Sequence, residues 1–345
     1  MSLSGGPTGP SPKSYTLPLT LVVVIAVVAA GLSIVGTATY FELVSSRSSP
    51  VGSGTVQVTD DAGRTVAVPS DAGRVVVFGA NIVDSMVRLD LRGHLVGVDC
   101  SSATFGGLLG DYTQNQTQAW NLTAGMCVQA FPTFNVEELL NLSPSLVVSS
   151  TIVSISLLEE VSATDHIPVL ILAPSTLGGI VVDVQILAQV FPTGTAAVHL
   201  EAQLLGALAN ATNFVQNLTS IPNATIPSVL LTYYVDPSQG YYTYGPQSFG
   251  ESLISLAGGT SISASASVPY PILSGAVVLA ATPSVIVYGI GPLGEPLSAY
   301  QQGPYWNQFT SQKFGLDVTL FTEADPGMIL QGLSALTAIL HPGAR

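Results

Sequence analysis

The chain has 345 residues, of which only 8% are charged, against about 25% in an ordinary soluble protein. It contains 8 Lys and Arg residues and 21 Asp and Glu residues, so its formal net charge is −13 at pH 7. So few cations exclude a nucleic-acid-binding surface, because such a surface needs a basic patch. Apolar residues make up 47% of the chain, which excludes a disordered protein.

One apolar run, residues 17–41, is long enough to cross a bilayer, and no charged residue lies between Lys13 and Glu42. About 20 apolar residues span a membrane, whereas the core of a signal peptide usually has about 7–15. The run therefore predicts an uncleaved transmembrane anchor. Residues 1–16 are then a cytoplasmic tail, and residues 42–55 are a short polar linker to the rest of the chain.

Asn-X-Ser/Thr sequons are more frequent than chance predicts, with six against roughly two, although Pro144 disables the one at Asn141. They indicate a glycosylated, extracellular surface. Cys100 and Cys127 are the only cysteines. An extracellular location permits a disulfide between them, and two buried free thiols are the alternative. The predicted glycosylation sites are Asn115, Asn121, Asn210, Asn217 and Asn223.

The first half of the chain after the linker is predicted to form an α/β unit. Alternation over Val56–Val68 predicts a hairpin, and the apolar run Val75–Phe78 is followed by a helical pattern at Ile82, Met86 and Leu89. Residues 99–134 lack periodicity and predict a long functional loop. Further buried strands are predicted at 95–98, 146–148 and 169–172, with helices at 135–142 and 154–164.

Two helices are predicted next, near 177–190 and 194–219. The second carries one apolar stripe over seven turns and ends in a proline-containing segment near Pro222 and Pro227. The pattern after it returns to short apolar runs and helices, as in the first half. Strands are predicted at 229–231, 285–287 and 318–320, and helices near 247–257, 275–281 and 327–340.

Residues 135–148 match residues 274–287 without a gap, at a constant offset of 139. Each copy has a helix N-cap residue, two helical turns, a Pro-Ser break and an apolar strand. The match predicts two similar α/β lobes, with two ordinary helix–strand units as the alternative. Two lobes joined by one long helix leave a cleft between them, and ligands favour such clefts.

Motifs for catalysis are weak. Gly289–Gly294 fits G-x-G-x-x-G, but Pro292 and Pro296 interrupt it, so a glycine-rich cleft loop is favoured over a nucleotide site. Gly245–Gly250 only approaches the nucleophile elbow of a hydrolase. No pair of the four histidines has metal-ligand spacing. The sequence predicts no enzymatic activity, no cofactor and no metal site.

Tyrosines crowd one stretch that begins where a predicted strand leaves the sheet. Tyr rings offer apolar faces and a hydroxyl, which suit a bulky neutral or amphipathic ligand. Packing within a hairpin is the alternative interpretation. The cluster comprises Tyr233, Tyr234, Tyr241, Tyr242 and Tyr244, followed by Tyr270.

Together the segments 58–69, 74–79 and 95–98 resemble the opening of the cobalamin/ferric-siderophore class of solute-binding proteins, the capture subunits of ABC importers. Asn135-Val-Glu-Glu-Leu-Leu, Leu256-Ala-Gly-Gly and the ending Leu340-His-Pro continue the match, which covers roughly 56–342. The order and spacing of these motifs are more specific than any one of them.

The resemblance implies an α/β fold of two similar lobes bridged by a single long helix, with limited hinge motion and the ligand between the lobes. The lobes would span 56–192 and 222–345, and the bridging helix 193–221. Ligand residues in the family follow the strands, and the acidic docking residues implied for the permease are Glu159 or Glu160 and Glu295. The implied ligand positions are Asn81, Thr104, Phe105, Thr151, Tyr234, Tyr244, Tyr270 and Glu323.

No basic residue lies between Arg92 and Lys313, although anionic chelates are commonly bound by Arg or Lys. The sequence therefore favours a neutral, bulky metal chelate such as a corrinoid or hydroxamate complex, with haem an alternative because phenolate can ligate iron. The expected partners are this chelate, an ABC permease and its ATPase, for a single-pass monomer with its binding domain outside the cell. An extracellular sensor or surface protein that reuses the fold is the alternative function.

The scarcity of Lys and Arg also predicts the medium. In strong acid carboxylates are protonated while Lys and Arg stay charged, so a Lys-rich protein would repel itself. We therefore expect an acid-living, archaeal source.

Overall fold

The computed structural model describes residues 54–222 and 224–343. The predicted tail and anchor, nearly all of the predicted linker and Asn223 lie outside the described residues. None of the helices in the described part of the chain is both long and apolar enough to cross a bilayer.

The predicted hairpin is present as strands β1 (Thr55–Thr59) and β2 (Thr65–Pro69), paired antiparallel. The Asp60 carboxylate accepts hydrogen bonds from the Arg64 backbone N–H and guanidinium and so closes the turn. The hairpin is attached to the first sheet, because the Asp61 N–H donates to the Ile171 carbonyl.

The first lobe contains a parallel five-stranded sheet in the order β5-β4-β3-β6-β7. All four side chains of β3 are fully buried, because helices cover both faces of a parallel sheet. The strands are β3 (Val75–Phe78), β4 (Leu95–Ser101), β5 (Cys127–Phe131), β6 (Leu146–Ser149) and β7 (Val169–Ile171), and the helices are α1 (Ala80–Arg88), α2 (Leu108–Asp111), α3 (Gln114–Ala119), α4 (Val136–Asn141) and α5 (Ile155–Asp165).

The prediction of a structureless loop over 99–134 is wrong. The segment contains the end of β4, the two short helices α2 and α3, and the edge strand β5. Helix α3 begins at a capping box, in which Thr113 and Gln116 exchange side-chain-to-backbone hydrogen bonds. Cys100 and Cys127 form a disulfide that links β4 to β5, with 5.5 Å between their Cα atoms.

Helices α6 (Leu177–Val190) and α7 (Ala196–Ser220) connect the lobes, close to the predicted bounds. Along α7 the buried residues are Ala197, Leu200, Leu204 and Ala211, which belong to the predicted stripe or extend it. They join a hydrophobic core that is continuous from the first sheet to the second. The two lobes are therefore also packed together beside the connecting helix.

The second lobe contains a six-stranded mixed sheet in the order β11-β9-β8-β12-β13, with β10 pairing β8. Strands β8, β10, β12 and β13 are parallel, and β9 and β11 run antiparallel at the edge. The strands are β8 (Ser228–Asp236), β9 (Gly240–Thr243), β10 (Thr260–Ser261), β11 (Ile272–Leu273), β12 (Val285–Ile290) and β13 (Gln312–Asp317). The helices are α8 (Phe249–Leu256), α9 (Gly275–Ala281), α10 (Leu297–Gln302), α11 (Thr319–Thr322) and α12 (Leu333–Leu340), the last preceded by a π-helical turn over Met328–Gly332.

The predicted strand at 318–320 is wrong, since the last strand ends at Asp317. The Asp317 carboxylate accepts hydrogen bonds from the Thr319 N–H and hydroxyl, which starts α11 directly after the strand. The chain therefore turns away from the sheet where the apolar sequence suggested that it continues.

The two matched segments fold alike. Ser143 and Thr282, which are 139 residues apart, both end their helices in the left-handed region, with φ of 46° and 45°. Two residues further on, the hydroxyls of Ser145 and Ser284 donate to the carbonyls of Arg74 and Ser228, at the start of the neighbouring strand in each sheet. The Pro-Ser segment of each copy therefore hydrogen-bonds its helix–strand unit to its own sheet in the same way.

Candidate ligand-binding cleft

A cleft of about 350 Å³ lies where the carboxyl ends of the parallel strands of both lobes meet. Ligands in open α/β sheets bind at that edge, beyond the strand ends. Most of the residues that line the cleft lie at or just beyond strand ends, while Gly110 and Asp111 lie on α2 and Tyr233 and Tyr234 lie near the end of β8. The first lobe contributes Gly79, Ala80, Asp99, Gly110, Asp111, Ser150 and Ile152, and the second contributes Tyr233, Tyr234, Leu293, Val318, Thr322 and Glu323.

Asp99 is the buried acid of the first lobe, with only 2% of its surface exposed. Its Oδ1 accepts hydrogen bonds from the Tyr112 hydroxyl at 2.7 Å and from the Gly79 N–H at 2.8 Å. Burial raises the pKa of Asp99 to about 6 despite these two donors. Gly79 is required here, because its φ is 129° and a Cβ would lie 2.7 Å from the Ser150 Oγ.

Glu323 is the facing acid of the second lobe and directly follows α11. Its carboxyl faces the Asn81 backbone N–H at the start of α1, so it reaches across to the first lobe. Burial, together with the negative charge of Asp99 and Asp111, raises the pKa of Glu323 to about 7. The cleft therefore gains negative charge as the pH rises towards neutrality.

A β-bulge turns two consecutive tyrosines towards the cleft. Thr232 pairs with Thr243 and Tyr234 with Tyr242, so Tyr233 is an extra residue in β8. Side chains normally alternate between the two faces of a strand, and an extra residue interrupts that alternation. Both Tyr233 and Tyr234 consequently line the cleft.

Tyr234 has 40% of its surface exposed, and its ring meets the Tyr242 ring edge to face at 5.1 Å between centroids. Tyr233 is half-buried and contacts the Tyr242 and Tyr244 rings. Burial raises the pKa of Tyr233 to about 12, so its phenol stays neutral over the physiological range. The cleft wall from the second lobe is therefore aromatic and uncharged, with hydroxyl groups.

The predicted ligand residues fall into three groups. Tyr234 and Glu323 line the cleft. Asn81 is buried beside it with its N–H facing Glu323, and Thr151 is exposed between two lining residues. Thr104 is exposed on a short helical turn outside the lining. The side chain of Phe105 lies outside the described residues.

Tyr244 and Tyr270 lie elsewhere. Tyr244 is 1% exposed, donates its hydroxyl to the Phe321 carbonyl at 2.7 Å, and covers Gly250, where a Cβ would overlap its ring. Tyr244 therefore packs in the core and does not line the cleft. Tyr270 is 49% exposed and packs against Tyr244 and Phe249 outside the cleft lining. The tyrosine cluster thus divides, with packing for some members and a place in the cleft for others.

Sequence reasoning missed Asp99 and Asp111, and it named Tyr233 as a member of the tyrosine cluster but not among the implied ligand positions. Asp99 directly follows the predicted strand 95–98, so a polar residue at the end of a parallel strand was a usable signal. Asp111 lies within the segment predicted as a loop, where it accepts hydrogen bonds from the Ser101 N–H and hydroxyl. The bulge that re-aims Tyr233 depends on pairing with β9 and has no local signal.

The remaining predicted positions lie on the surface. Glu159 and Glu160 are exposed on α5, where Glu159 is 3.4 Å from the Arg64 Nη1, and Glu295 is partly exposed near Tyr234. The described glycosylation candidates Asn115, Asn121, Asn210 and Asn217 are all exposed. Over the residues that the structure describes, no group of three or more His, Cys, Asp or Glu is arranged to hold a metal ion.

Residues 109–299 match the model of a family described as periplasmic binding protein. A periplasmic haem-binding protein from Pseudomonas aeruginosa is 18% identical, with a TM-score of 0.63 over 79% of this chain and 94% of that one. No curated protein sequence matches the chain.

Two further solved structures share the fold. A protein of an Fe³⁺-hydroxamate transport system from Saccharomonospora viridis is 16% identical, with a TM-score of 0.60 over 82% and 97% of the two chains. A molybdate-binding protein from Haemophilus influenzae is 18% identical, with a TM-score of 0.64 over 83% and 91%. These proteins carry different ligands on one two-lobed architecture, so the residues of the cleft must decide the ligand.

Replacing Tyr234 with alanine is expected to weaken ligand binding about tenfold, because an aromatic face is lost from the cleft wall. Tyr270→Ala is the matched control, since Tyr270 is similarly exposed but does not line the cleft. Titration calorimetry with a bound chelate compares the two variants. Equal weakening by both substitutions would contradict the assignment of Tyr234 to the site.

Proposed function

Since the chain belongs to the periplasmic binding protein family, we propose that it is the capture subunit of an ABC importer and binds a neutral or cationic metal chelate between its lobes. One observation carries the proposal of ligand class. Among the described residues that line the cleft, three are acidic, two are tyrosines and none is Lys or Arg. Such a site attracts cations, accepts neutral hydrogen-bonding ligands and repels anions.

The relatives of known structure indicate which ligands to compare. Molybdate is an oxyanion and would meet Asp99, Asp111 and Glu323 with no cation to bind it. Haem carries two carboxylates and faces the same difficulty unless they point out of the cleft. A ferric hydroxamate presents an apolar surface and a low or positive charge, which suits the tyrosines and the carboxylates together.

The size of the cleft favours a compact chelate. At about 350 Å³ it lies near the lower end of the roughly 300–1,000 Å³ range of ligand pockets. A corrinoid is much bulkier than a hydroxamate complex and would need a wider separation of the lobes. The hydroxamate complex is therefore the favoured ligand within the proposed class.

We also propose an extracellular location, with the chain anchored through residues 17–41, acting as a monomer and glycosylated at exposed sequons. Delivery to a permease would use Glu159 or Glu160 on one lobe and Glu295 on the other. The buried acids support an acid-living, archaeal source, because carboxyl groups such as Asp99 and Glu323 are accommodated best when protonated.

A thermal-shift screen of residues 51–345, which form one compact unit, tests the ligand class. A neutral and an amine-bearing ferric hydroxamate should each stabilise the protein, by about 2.7 kcal/mol at a hundredfold excess over Kd. Molybdate is the matched anionic probe and should give no shift. Stabilisation by molybdate alone, or by none of the chelates, would overturn the proposed ligand class.

A further inference from the structure

The two lobes meet at a second place besides α7, where α1 of the first lobe faces residues 323–328 of the second. Backbone N–H groups of each lobe face carboxyl groups of the other. The Asn81 N–H faces Glu323, and the Gly327 N–H faces Asp84. Asp84, Arg88, Glu323 and Asp325 together form what we call the α1 junction.

The α1 junction is rich in buried acids. The Arg88 Nε donates to the Asp84 Oδ2 at 2.6 Å, which is an ion pair within the first lobe. Asp325, 8% exposed, accepts the Met328 N–H at 2.7 Å, while its carboxyl faces Asp84, Glu323 and Arg88. A Cβ on Gly327 would lie 3.4 Å from the Arg88 Nη2, so the guanidinium lies directly against the second lobe.

The charges of the α1 junction do not balance. Its three carboxyls adjoin Asp99 and Asp111 at the floor of the cleft, which makes five acids against the single guanidinium of Arg88. Full ionisation would give a local net charge of −4 at the boundary between the lobes, where Asp84, Asp99 and Asp325 are buried and Asp111 and Glu323 are partly exposed. The phenols of Tyr112 and Tyr244 also face Glu323 and add no positive charge.

We propose that the α1 junction is an acid-dependent clamp on the cleft, which holds the lobes together when its carboxyls carry protons and lets them part more easily when they ionise. Protonated carboxyls lie against the facing lobe without mutual repulsion. Ionised ones repel each other across the boundary between the lobes. Separation of the lobes rehydrates the acids and relieves that repulsion.

The direction of the pH dependence follows from the buried acids. Burial raises the pKa of Glu323 to about 7, and the pKa values of Asp84 and Asp325 are raised for the same reason. A group whose pKa is higher when the lobes are together contributes fully to their association in acid, and that contribution is lost as the pH rises through the higher value. The clamp is therefore strongest below about pH 5 and weakest above about pH 7.

Hydrogen exchange on the full-length protein without ligand tests the clamp independently of the ligand's identity. After correction for intrinsic rates, protection of peptides covering 80–88 and 323–332 should fall about tenfold from pH 5 to pH 8. The comparison is made in the Asp183→Asn background, where the expected pH dependence of global stability is removed, and there the protection of β6 within the first lobe should stay constant. Equal protection of the junction peptides at both pH values would overturn the proposal.

Glu323→Gln removes one titrating group while keeping an acceptor for the Asn81 N–H, so the pH effect should shrink to less than about threefold. Asp325→Asn serves the same purpose if the first variant does not fold, since asparagine also caps a helix well. Asp71→Asn, at an exposed acid outside the α1 junction, is the control and should leave the effect unchanged. A variant that retains the full wild-type pH effect would overturn the role of its carboxyl.

Discussion

Asp183→Asn is expected to stabilise the protein by about 2–4 kcal/mol at pH 7 and to change its stability little at pH 3. Asp183 lies on α6 with 5% of its surface exposed, and within the described residues its Oδ1 has no hydrogen-bond partner. Burial, the negative charge of Asp61 and a hydrogen bond with Asp61 raise the pKa of Asp183 to about 9.

The protonated form of Asp183 is therefore the one that fits the fold. Asp61 is held in place because its Oδ2 accepts the Ala173 N–H at 2.6 Å, so one carboxyl of the pair must donate to the other. The pKa is higher in the folded than in the unfolded state, so stability is full in acid and is lost progressively between about pH 4 and pH 9. Asparagine donates a similar hydrogen bond and cannot ionise.

Urea unfolding of wild type and variant at pH 3, 5 and 7 measures this effect. The wild type should lose stability across the series, and Asp183→Asn should flatten the curve. Asp71→Asn, at an exposed acid, is the control and should leave the curve unchanged. A variant that is no more stable than wild type at pH 7 would show that Asp183 is not a buried acid of this kind.

The elements that sequence patterns located are those with a clear local apolar pattern. Strand β3 is apolar on both faces, and α6 was predicted at its observed bounds because its apolar residues and Thr176 cap are local signals. Strand β13 was missed because Gln312, Lys313 and Gly315 interrupt the apolar pattern of an edge strand. The apolar residues directly after it were then taken for the strand.

The sequence predicted a ligand cleft between two lobes, but it identified only some of the residues that line it. The family resemblance placed ligand positions after the strands, and of these Tyr234 and Glu323 line the cleft, although Glu323 follows α11 and not the predicted strand at 318–320. The contacts that hold Asp99 in the cleft could not be predicted from local sequence. Its carboxylate is held by the Tyr112 hydroxyl and by the N–H of Gly79, which lies at the end of another strand. The sequence could not show that Tyr244 packs in the core while Tyr234 lines the cleft. The carbonyl that accepts the Tyr244 hydroxyl belongs to Phe321, which is 77 residues away.

Removal of the disulfide by Cys100→Ala with Cys127→Ala is expected to cost about 3–4 kcal/mol, the loop-closure contribution for the separation of 27 residues between the two cysteines. The bridge joins β4 to the edge strand β5, and the enclosed segment carries α2 and α3. Without it, the unfolded chain gains conformational freedom, which lowers the free energy of unfolding. Guanidinium unfolding gives the change in free energy, and reduction of the wild type under the same conditions should reproduce it.

The disulfide also bears on the cleft, because Asp99 precedes Cys100 and the enclosed segment supplies Gly110, Asp111 and Tyr112. Loosening of β5 should therefore weaken chelate binding in the folded double variant as well as lower its stability. The single change Cys127→Ser also removes the bridge but leaves a side chain of nearly the same volume. Comparison with the double variant therefore separates the loss of the bridge from the formation of a cavity. Unchanged stability and unchanged binding in both variants would mean that β4 and its acid are held by the parallel sheet alone.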